Sequence, residues 1–492
     1  MMIWKVERES VLRTAKGYLM AAFVLSLPGI LPAQQVAIGF YPVAGGPGGI
    51  TAGPDGALWF TEINGNKIGR MTTSGVVTTY PVPTAGSYPD GIAVGPDGAL
   101  WFTEYYGQQI GRMTTDGVVT EYPMCCYPTA ITAGPDGALW VVGGDPSWIG
   151  RITTAGVVTQ YFPPSSTGIY GITAGSDGAL WFTEYDVSKI GRITTAGVIT
   201  EYPIAGGASG ITAGPDGALW FTDTNGIGRI TTAGIFSEYP WSVPNGICFI
   251  TTGPDAALWF TGCEESEIGR ITTAGVITTY SYPYKGNGPG GITAGPNRAL
   301  WFTDLYGGIG EAVFVTAGLS VSPASGFPGT TLTFTGSAFA PNESVKIHAG
   351  FLGSPVLATA TADASGSFTR TAPELPLPYG SRQLLGVGQN SHRIGAASFS
   401  VTPRLILSPN SGTVGGSAVA EGLGFVPGEQ VRIHWNNPLI LLGTATANQD
   451  GTFNGAAALQ FTVPSGAPPG ANLVFGVGSI SNVKVKTWFN VE

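Results

Sequence analysis

The sequence predicts an all-β chain: a seven-bladed β-propeller closed by an N-terminal strand, followed by two immunoglobulin-like β-sandwiches. Three observations carry this. Seven tryptophans (Trp59, Trp101, Trp140, Trp181, Trp220, Trp259 and Trp301) recur at spacings of 42, 39, 41, 39, 39 and 42 residues, close to the length of one blade. Each lies in a short apolar run bounded by Gly-Pro-Asp-Gly or a near variant, the grammar of short strands and tight turns. Beyond residue 316 this period stops and a second repeat begins.

Within one unit the turn signals mark four strands. The first copy gives Gly49 to Ala52, then Ala57 to Glu62, Lys67 to Thr72, and Val76 to Tyr80 closed by Pro81. Pro54 presets φ in the first turn, and Gly56 tolerates its left-handed exit. One such sheet has two apolar faces and buries neither alone, whereas a ring of sheets buries both. Alternation in Leu58-Trp59-Phe60 sends Leu58 and Phe60 to one neighbouring blade and Trp59 to the other. The last unit lacks its own Tyr-Pro strand after Glu311, and an orphan one, Ile38 to Val43, precedes the first unit. Pairing the two closes the ring and removes a free edge.

The expected organisation is therefore 1–33 signal peptide, 34–316 propeller, 317–402 first sandwich and 403–492 second sandwich. Residues 1–33 carry Lys5, Arg8, Arg13 and Lys16 ahead of an apolar run from Tyr18 to Leu31, with cleavage expected after Ala33. An uncleaved anchor is the alternative, though the run is short for a span and contains Pro28. A secreted or cell-surface protein without a membrane span after signal removal follows. Without that segment 18 Lys and Arg face 29 Asp and Glu, a balance that argues against nucleic acid as a partner. The expected state is a monomer. In the C-terminal half, residues 319–347 match 405–433 in order and spacing, and Asp363–Phe368 matches Asn448–Phe453. Both copies resemble immunoglobulin-like modules of the IPT/TIG type.

The units GPDGALWFTE, IGRITTAG and TEYP resemble those of the virginiamycin B lyases, seven-bladed propellers that open streptogramin B antibiotics. The resemblance implies a Mg²⁺-assisted elimination driven by a general base, with catalytic histidines and glutamates in loops on one face of the ring. One family histidine immediately precedes the Gly-Ile of an inner strand. Here Gly48, Asp90, Thr129, Tyr170, Ser209, Asn245 and Gly290 stand at those positions. Another stands two residues after a strand-ending acid, where this chain has Asn64, Tyr106, Asp186, Asn225 and Tyr306. The three histidines, His348, His392 and His434, all lie beyond the propeller. No catalytic residue is therefore assigned.

Candidate ligand-binding residues come from two patterns. The strand-ending acids Glu62, Glu104, Glu184, Asp223 and Asp304 stand where variable loops begin and could hold a divalent cation through oxygen ligands. The competing reading, preferred because every blade repeats it, pairs them with backbone amides or with the recurring Arg70, Arg112, Arg151, Arg192, Arg229 and Arg270. Departures from the repeat give the second pattern. Blade 3 replaces FTE with Val141-Val142-Gly143 and adds Trp148, while blade 6 carries Glu264 and Glu265 near Trp241. An acidic lip with two indole surfaces would suit a sugar or peptide, although loop drift explains the same changes. Cys248 and Cys263 are placed for a disulfide within one blade, whereas Cys125 and Cys126 are left open between a vicinal bridge, thiols and a bond to a partner. No zinc spacing exists. His348 and His434 occupy equivalent positions, which argues for a shared structural role.

The leading expectation is a binding scaffold holding a small molecule, peptide or glycan on the propeller's loop face. A lyase working with carboxylates, with Mg²⁺ as its implied cofactor, is one alternative, and an envelope spacer without a ligand is another.

Overall fold

The structure, a computed structural model, describes residues 35–144, 146–164, 168–241, 247–262, 267–281, 289–304, 307–350, 354–373, 380–448 and 450–492. The leader and the residues Cys263, Glu264 and Glu265 lie outside that set. Among the described residues there are seven four-stranded antiparallel sheets from Val36 to Phe314. The first runs Pro47–Ala52, Leu58–Glu62, Lys67–Met71 and Val77–Pro81. Its inner strand begins before the expected Gly49. Pro47 pairs with Glu62 and Ile50 with Phe60, so a bulge at the two intervening glycines lets the strand continue. The last sheet takes its outer strand from the other end of the chain: Val36–Pro42 pairs antiparallel with Gly308–Phe314, from Val36 opposite Phe314 to Pro42 opposite Gly308. That strand starts two residues earlier than the sequence indicated because Val36 and Ala37 also find partners.

Alternation along the second strand places the core between sheets. Leu58 and Phe60 pack with Trp301 of the last sheet, and Trp59 packs with Leu100 and Phe102 of the next. The same division recurs around the ring in seven clusters. All seven repeat tryptophans have no solvent exposure. Each such side chain contributes about 1.5–3 kcal/mol or more on burial, so adjacent sheets are held mainly by this layer. The tight fit also explains the Ile-Gly-Arg motif: a Cβ on Gly69 would stand 2.1 Å from the Phe60 ring. This is a propeller, as the sequence indicated.

Two further strand sets follow. In the first, Ala317–Ser322, Thr331–Ser337 and Phe368–Pro373 pair in order, and Val356–Thr361, Ser344–Ala349, Gly380–Gly388 and Ile394–Val401 form the other run. The second set repeats both runs, from Arg404–Ser408 to Lys484–Val491. Each closes on its own apolar core, around Phe334 and Phe399 in the first and Trp435 and Phe489 in the second. His348 and His434 sit at the same bulge in the two sets, both 8 % exposed, as their sequence equivalence required. Leu385, Ile394 and Ala396 of the first set pack against Ala37, Val313 and Val315 at the propeller's closing strands. No helix among the described residues is long and apolar enough to cross a membrane.

Candidate functional site

The inner strands surround a central cavity of about 370 Å³ lined by one short stretch from each sheet. The threonine of Leu-Trp-Phe-Thr builds its wall. Thr61, Thr103, Thr183 and Thr222 accept hydrogen bonds from Gly49, Gly91, Gly171 and Gly210 of their own inner strands at 2.8–2.9 Å. Each hydroxyl then donates to a carbonyl of the next sheet, that of Asp90, Thr129, Ser209 or Cys248, at 2.7–3.2 Å. Thr303 donates to the Gly48 carbonyl at 2.7 Å and so joins the last sheet to the first. A buried polar residue repeated this way satisfies backbone groups that the cavity would otherwise leave unpaired.

One mouth of this cavity carries the asymmetry. The sheet register places Gly48, Asp90, Thr129, Tyr170, Ser209, Cys248 and Gly290 before the Gly-Ile step. This corrects the sixth position: Ile250 pairs with Phe260 as Ile211 pairs with Phe221, so Cys248 and not Asn245 occupies it. Among the described residues Asp90 is the one carboxylate in the cavity lining, and none of that lining is Lys, Arg or His. Burial alone pushes its carboxyl up to about 6.

Tyrosines gather beside it. Tyr105 lies 4.9 Å from Tyr106, 5.2 Å from Tyr127 and 6.1 Å from Tyr88, measured between ring centres, and Tyr170 lies 5.5 Å from Tyr185. Burial and the neighbouring Tyr106, Tyr127, Asp90 and Tyr170 all push the Tyr105 phenol up, which places these groups in one electrostatic neighbourhood. Tyr106 is 61 % exposed and Tyr170 52 %. Tyr88 and Tyr127 hold φ of 59° and 54°, strained for non-glycine residues and tolerated here at the rim.

The strand-ending acids stand elsewhere. Glu62, Glu104, Glu184, Asp223 and Asp304 are between 0 and 4 % exposed, and none lines the central cavity. Burial pushes the Glu104 carboxyl up to about 8, reinforced by Glu121 on the outer strand. The Ser87 hydroxyl, which donates to Asn66 Oδ1, opposes this rise. Glu184 is raised to about 7 by burial and by Glu201, against the opposing effect of Lys189. Asp223 is raised by burial, while Asn225 and Gly226 amides oppose the shift.

Of the two partners expected for these acids, backbone amides serve Asp223, while the recurring arginines turn to other carboxylates. Arg70 Nε bonds Asp55 Oδ2 of the Gly-Pro-Asp-Gly turn at 2.6 Å, and the five other arginines repeat this at 2.5–2.7 Å. Asp55 Oδ1 accepts from Trp59 Nε1 at 3.0 Å. Burial alone would raise the Asp55 carboxyl, but the bonds from Trp59, Arg70 and Ala57 hold it below the usual carboxylate range. The last sheet exchanges both partners: Asn297 replaces the aspartate, and Glu311 accepts from Asn297 Nδ2 and from Tyr41 Oη. The repeated aspartate–arginine pair is thus architecture.

The two irregular sheets also resolve into structure where they are described. Trp148 is fully buried, with Nε1 donating to the Cys126 carbonyl at 2.8 Å, so it offers no stacking surface. Val141 stands where other sheets have phenylalanine, and the Trp148 ring occupies the space beside Gly150 instead. Trp241 is half-buried and meets Phe260 edge to face at 4.9 Å. Glu264 and Glu265 lie outside the described residues. Cys248 is disulfide-bonded, Cys263 lies outside the described residues, and Cys125 and Cys126 remain thiols.

Among the described residues no three His, Cys, Asp or Glu side chains converge as a metal-ligand set. The acids that the resemblance to Mg²⁺-assisted lyases brings forward are buried one per sheet, so they do not fit a shared cation and no step is derived through one. The sequence reading met Tyr106 and Tyr170 only as residues standing at histidine positions, and their grouping with Tyr88, Tyr105 and Tyr127 escaped it, although all depart from the repeat.

Fold and site together define a repeat propeller with a one-sided, aromatic cavity mouth. A family model described as the Virginiamycin B lyase family matches residues 33–208 and 205–314, and the chain belongs to that family. The virginiamycin B lyase of Saccharopolyspora erythraea is 60 % identical over 37 residues, 8 % of this chain and 12 % of that protein. That of Bordetella bronchiseptica is 49 % identical over 41 residues, 8 % and 14 % of the respective chains. The chain thus spans well under a fifth of the length of the curated relatives it matches. A solved streptogramin B lyase is 38 % identical, with a TM-score of 0.54 over 57 % of this chain and 98 % of that one. A catalytically inactive virginiamycin B lyase from Staphylococcus aureus, solved with quinupristin, is 36 % identical with a TM-score of 0.55, over 57 % and 100 %.

Proposed function

We propose that the chain is an exported binding protein that takes a ligand at the tyrosine-lined cavity mouth. The two C-terminal modules, read as immunoglobulin-like spacers over 317–402 and 403–492, would present it outside the cell. The observation that carries this reading is the grouping of Tyr88, Tyr105, Tyr106, Tyr127 and Tyr170 beside Asp90 on an otherwise repetitive ring. Exposed aromatic clusters on a rigid scaffold mark binding sites. Ligand screening against the full chain and a Tyr106→Ala/Tyr170→Ala variant tests it. Binding is expected to fall at least tenfold in the variant, and binding that survives unchanged would move the site elsewhere.

A second reading, a C–O lyase opening a cyclic depsipeptide, is favoured by one feature. Asp90 stands at one of the seven equivalent positions before a Gly-Ile step, at one of which the resembling family carries a histidine, and its carboxyl is raised to about 6, within the range of a general base at neutral pH. Incubation with a streptogramin B depsipeptide, with Mg²⁺ and then with EDTA, separates the two. Elimination yields a linear product of unchanged mass, so chromatographic retention and fragmentation must report it. Magnesium-dependent ring opening would make the protein an enzyme; no conversion at high protein concentration is expected.

A further inference from the structure

The ligand's chemical class follows from what surrounds Asp90. Its carboxyl has no hydrogen bond or ion pair among the described residues, and burial is the only influence on it. Its own backbone carbonyl is occupied by Thr61. Around it the described cavity lining is isoleucine, alanine and glycine, with Tyr170 and Phe249 as its aromatic side chains and Thr129 and Ser209 as its hydroxyl-bearing aliphatic ones, beside the disulfide-bonded Cys248. A carboxylate set into such a wall is costly unless a positive charge approaches it, and no described residue of the lining supplies one.

Beside Asp90 the mouth carries the tyrosine cluster. The faces of Tyr rings attract cations, and the interaction strengthens as water is excluded. A neutral glycan would need several donors and acceptors held in place. Here the inner-strand carbonyls of Thr129 and Ser209 and the amides of Gly91, Gly171 and Gly210 are already taken by the threonine bridges. For a sugar the Asp90 carboxylate, the Ser209 hydroxyl and the tyrosine hydroxyls remain, few groups for a polyhydroxylated ring, whereas a cation is served by both the charge and the rings.

Resting on the binding function proposed above, we propose that the mouth binds an organic ammonium ion, its charge directed to Asp90 and its carbon substituents against Tyr105, Tyr127 and Tyr170. The probe is choline, compared with 3,3-dimethyl-1-butanol, in which carbon replaces the charged nitrogen. Both are titrated against the full chain by calorimetry or ligand-observed NMR. Choline is expected to bind saturably and at least roughly tenfold more tightly than its neutral isostere, as for a cation held by a carboxylate and aromatic faces. Asp90→Asn, which preserves shape, removes that preference; Tyr170→Leu weakens both the charged probe and the preference.

Equal affinity for the two probes, or an Asp90→Asn variant that keeps the preference, would overturn the assignment. A neutral oligosaccharide or a streptogramin B depsipeptide that binds with Tyr170 dependence, while choline does not, would overturn the cation class and leave the binding site standing. Failure of every probe class would remove both.

Discussion

At the scale of single residues, the chain separates acids that hold the fold from one that faces a cavity. The turn aspartates are held charged by arginine and indole, whereas Glu104 is buried beside Glu121 without a cation. Its folded-state carboxyl, raised to about 8 from 4.5, binds a proton more readily than in the unfolded chain. This contribution to stability is complete below about pH 4.5 and is lost as pH rises toward 8. Glu184, raised to about 7, acts in the same direction. Glu104→Gln keeps an amide that can donate to Glu121 but cannot ionise. The parent should lose on the order of 2–4 kcal/mol more than the variant between pH 5 and pH 8.5, read as a difference in thermal-unfolding midpoints. Identical pH dependence would show that Glu104 does not carry the effect. The sequence marked these positions and offered amides or arginines as partners, of which the amides are found at Asp223 and the arginines at none. Charge spacing along the chain cannot tell that Arg112 turns to Asp97 while Glu104 meets Glu121, since both contacts depend on which edge of the sheet each side chain leaves.

At the scale of elements, the inner strand and the Leu-Trp-Phe-Thr strand carry the ring. Trp, Leu and Phe were legible because burial on both faces leaves an unbroken apolar run. The threonine was not: its role joins one sheet's amide to the next sheet's carbonyl, a contact between blades that no single repeat contains. Thr183→Val removes the hydroxyl between Gly171 and Ser209 while preserving volume. With both backbone groups stranded in a partly buried wall, we expect a loss of about 2–4 kcal/mol, measured by chemical denaturation. A loss below about 0.5 kcal/mol would mean that water replaces the bridge. The third sheet already lives without it, since Val142 occupies the equivalent position and the Thr129 hydroxyl donates to the Val142 carbonyl. Trp148 likewise reads in sequence as a functional departure, and it proves to be the filler for a missing phenylalanine. A sequence shows that a symmetry is broken; only packing shows whether the break is repaired locally. At Asp90 and the tyrosine rim no neighbouring side chain repairs it.

At the scale of the molecule, closure joins residues about 270 positions apart, as in the bond from Tyr41 to Glu311. Deleting residues 35–42 would expose the edge of Gly308–Phe314 and take away the Tyr41 ring that packs 5.3 Å from Trp301. An unpaired apolar edge recruits other chains, so the truncated protein should self-associate in light scattering where the parent stays monomeric; a monomeric truncation of unchanged melting temperature would deny the clasp its importance. The same pairing has a mechanical side. Val36 lies opposite Phe314, so tension between the N-terminal end and the C-terminal modules would load the ladder at one end and open its rungs in turn, a zipper geometry that yields at low force. Leu385, Ile394 and Ala396 of the first module pack over that loaded end, against Ala37, Val313 and Val315. Any pull transmitted through the C-terminal modules must therefore strip this apolar patch before the zipper can start, which makes the first module the latch of the ring.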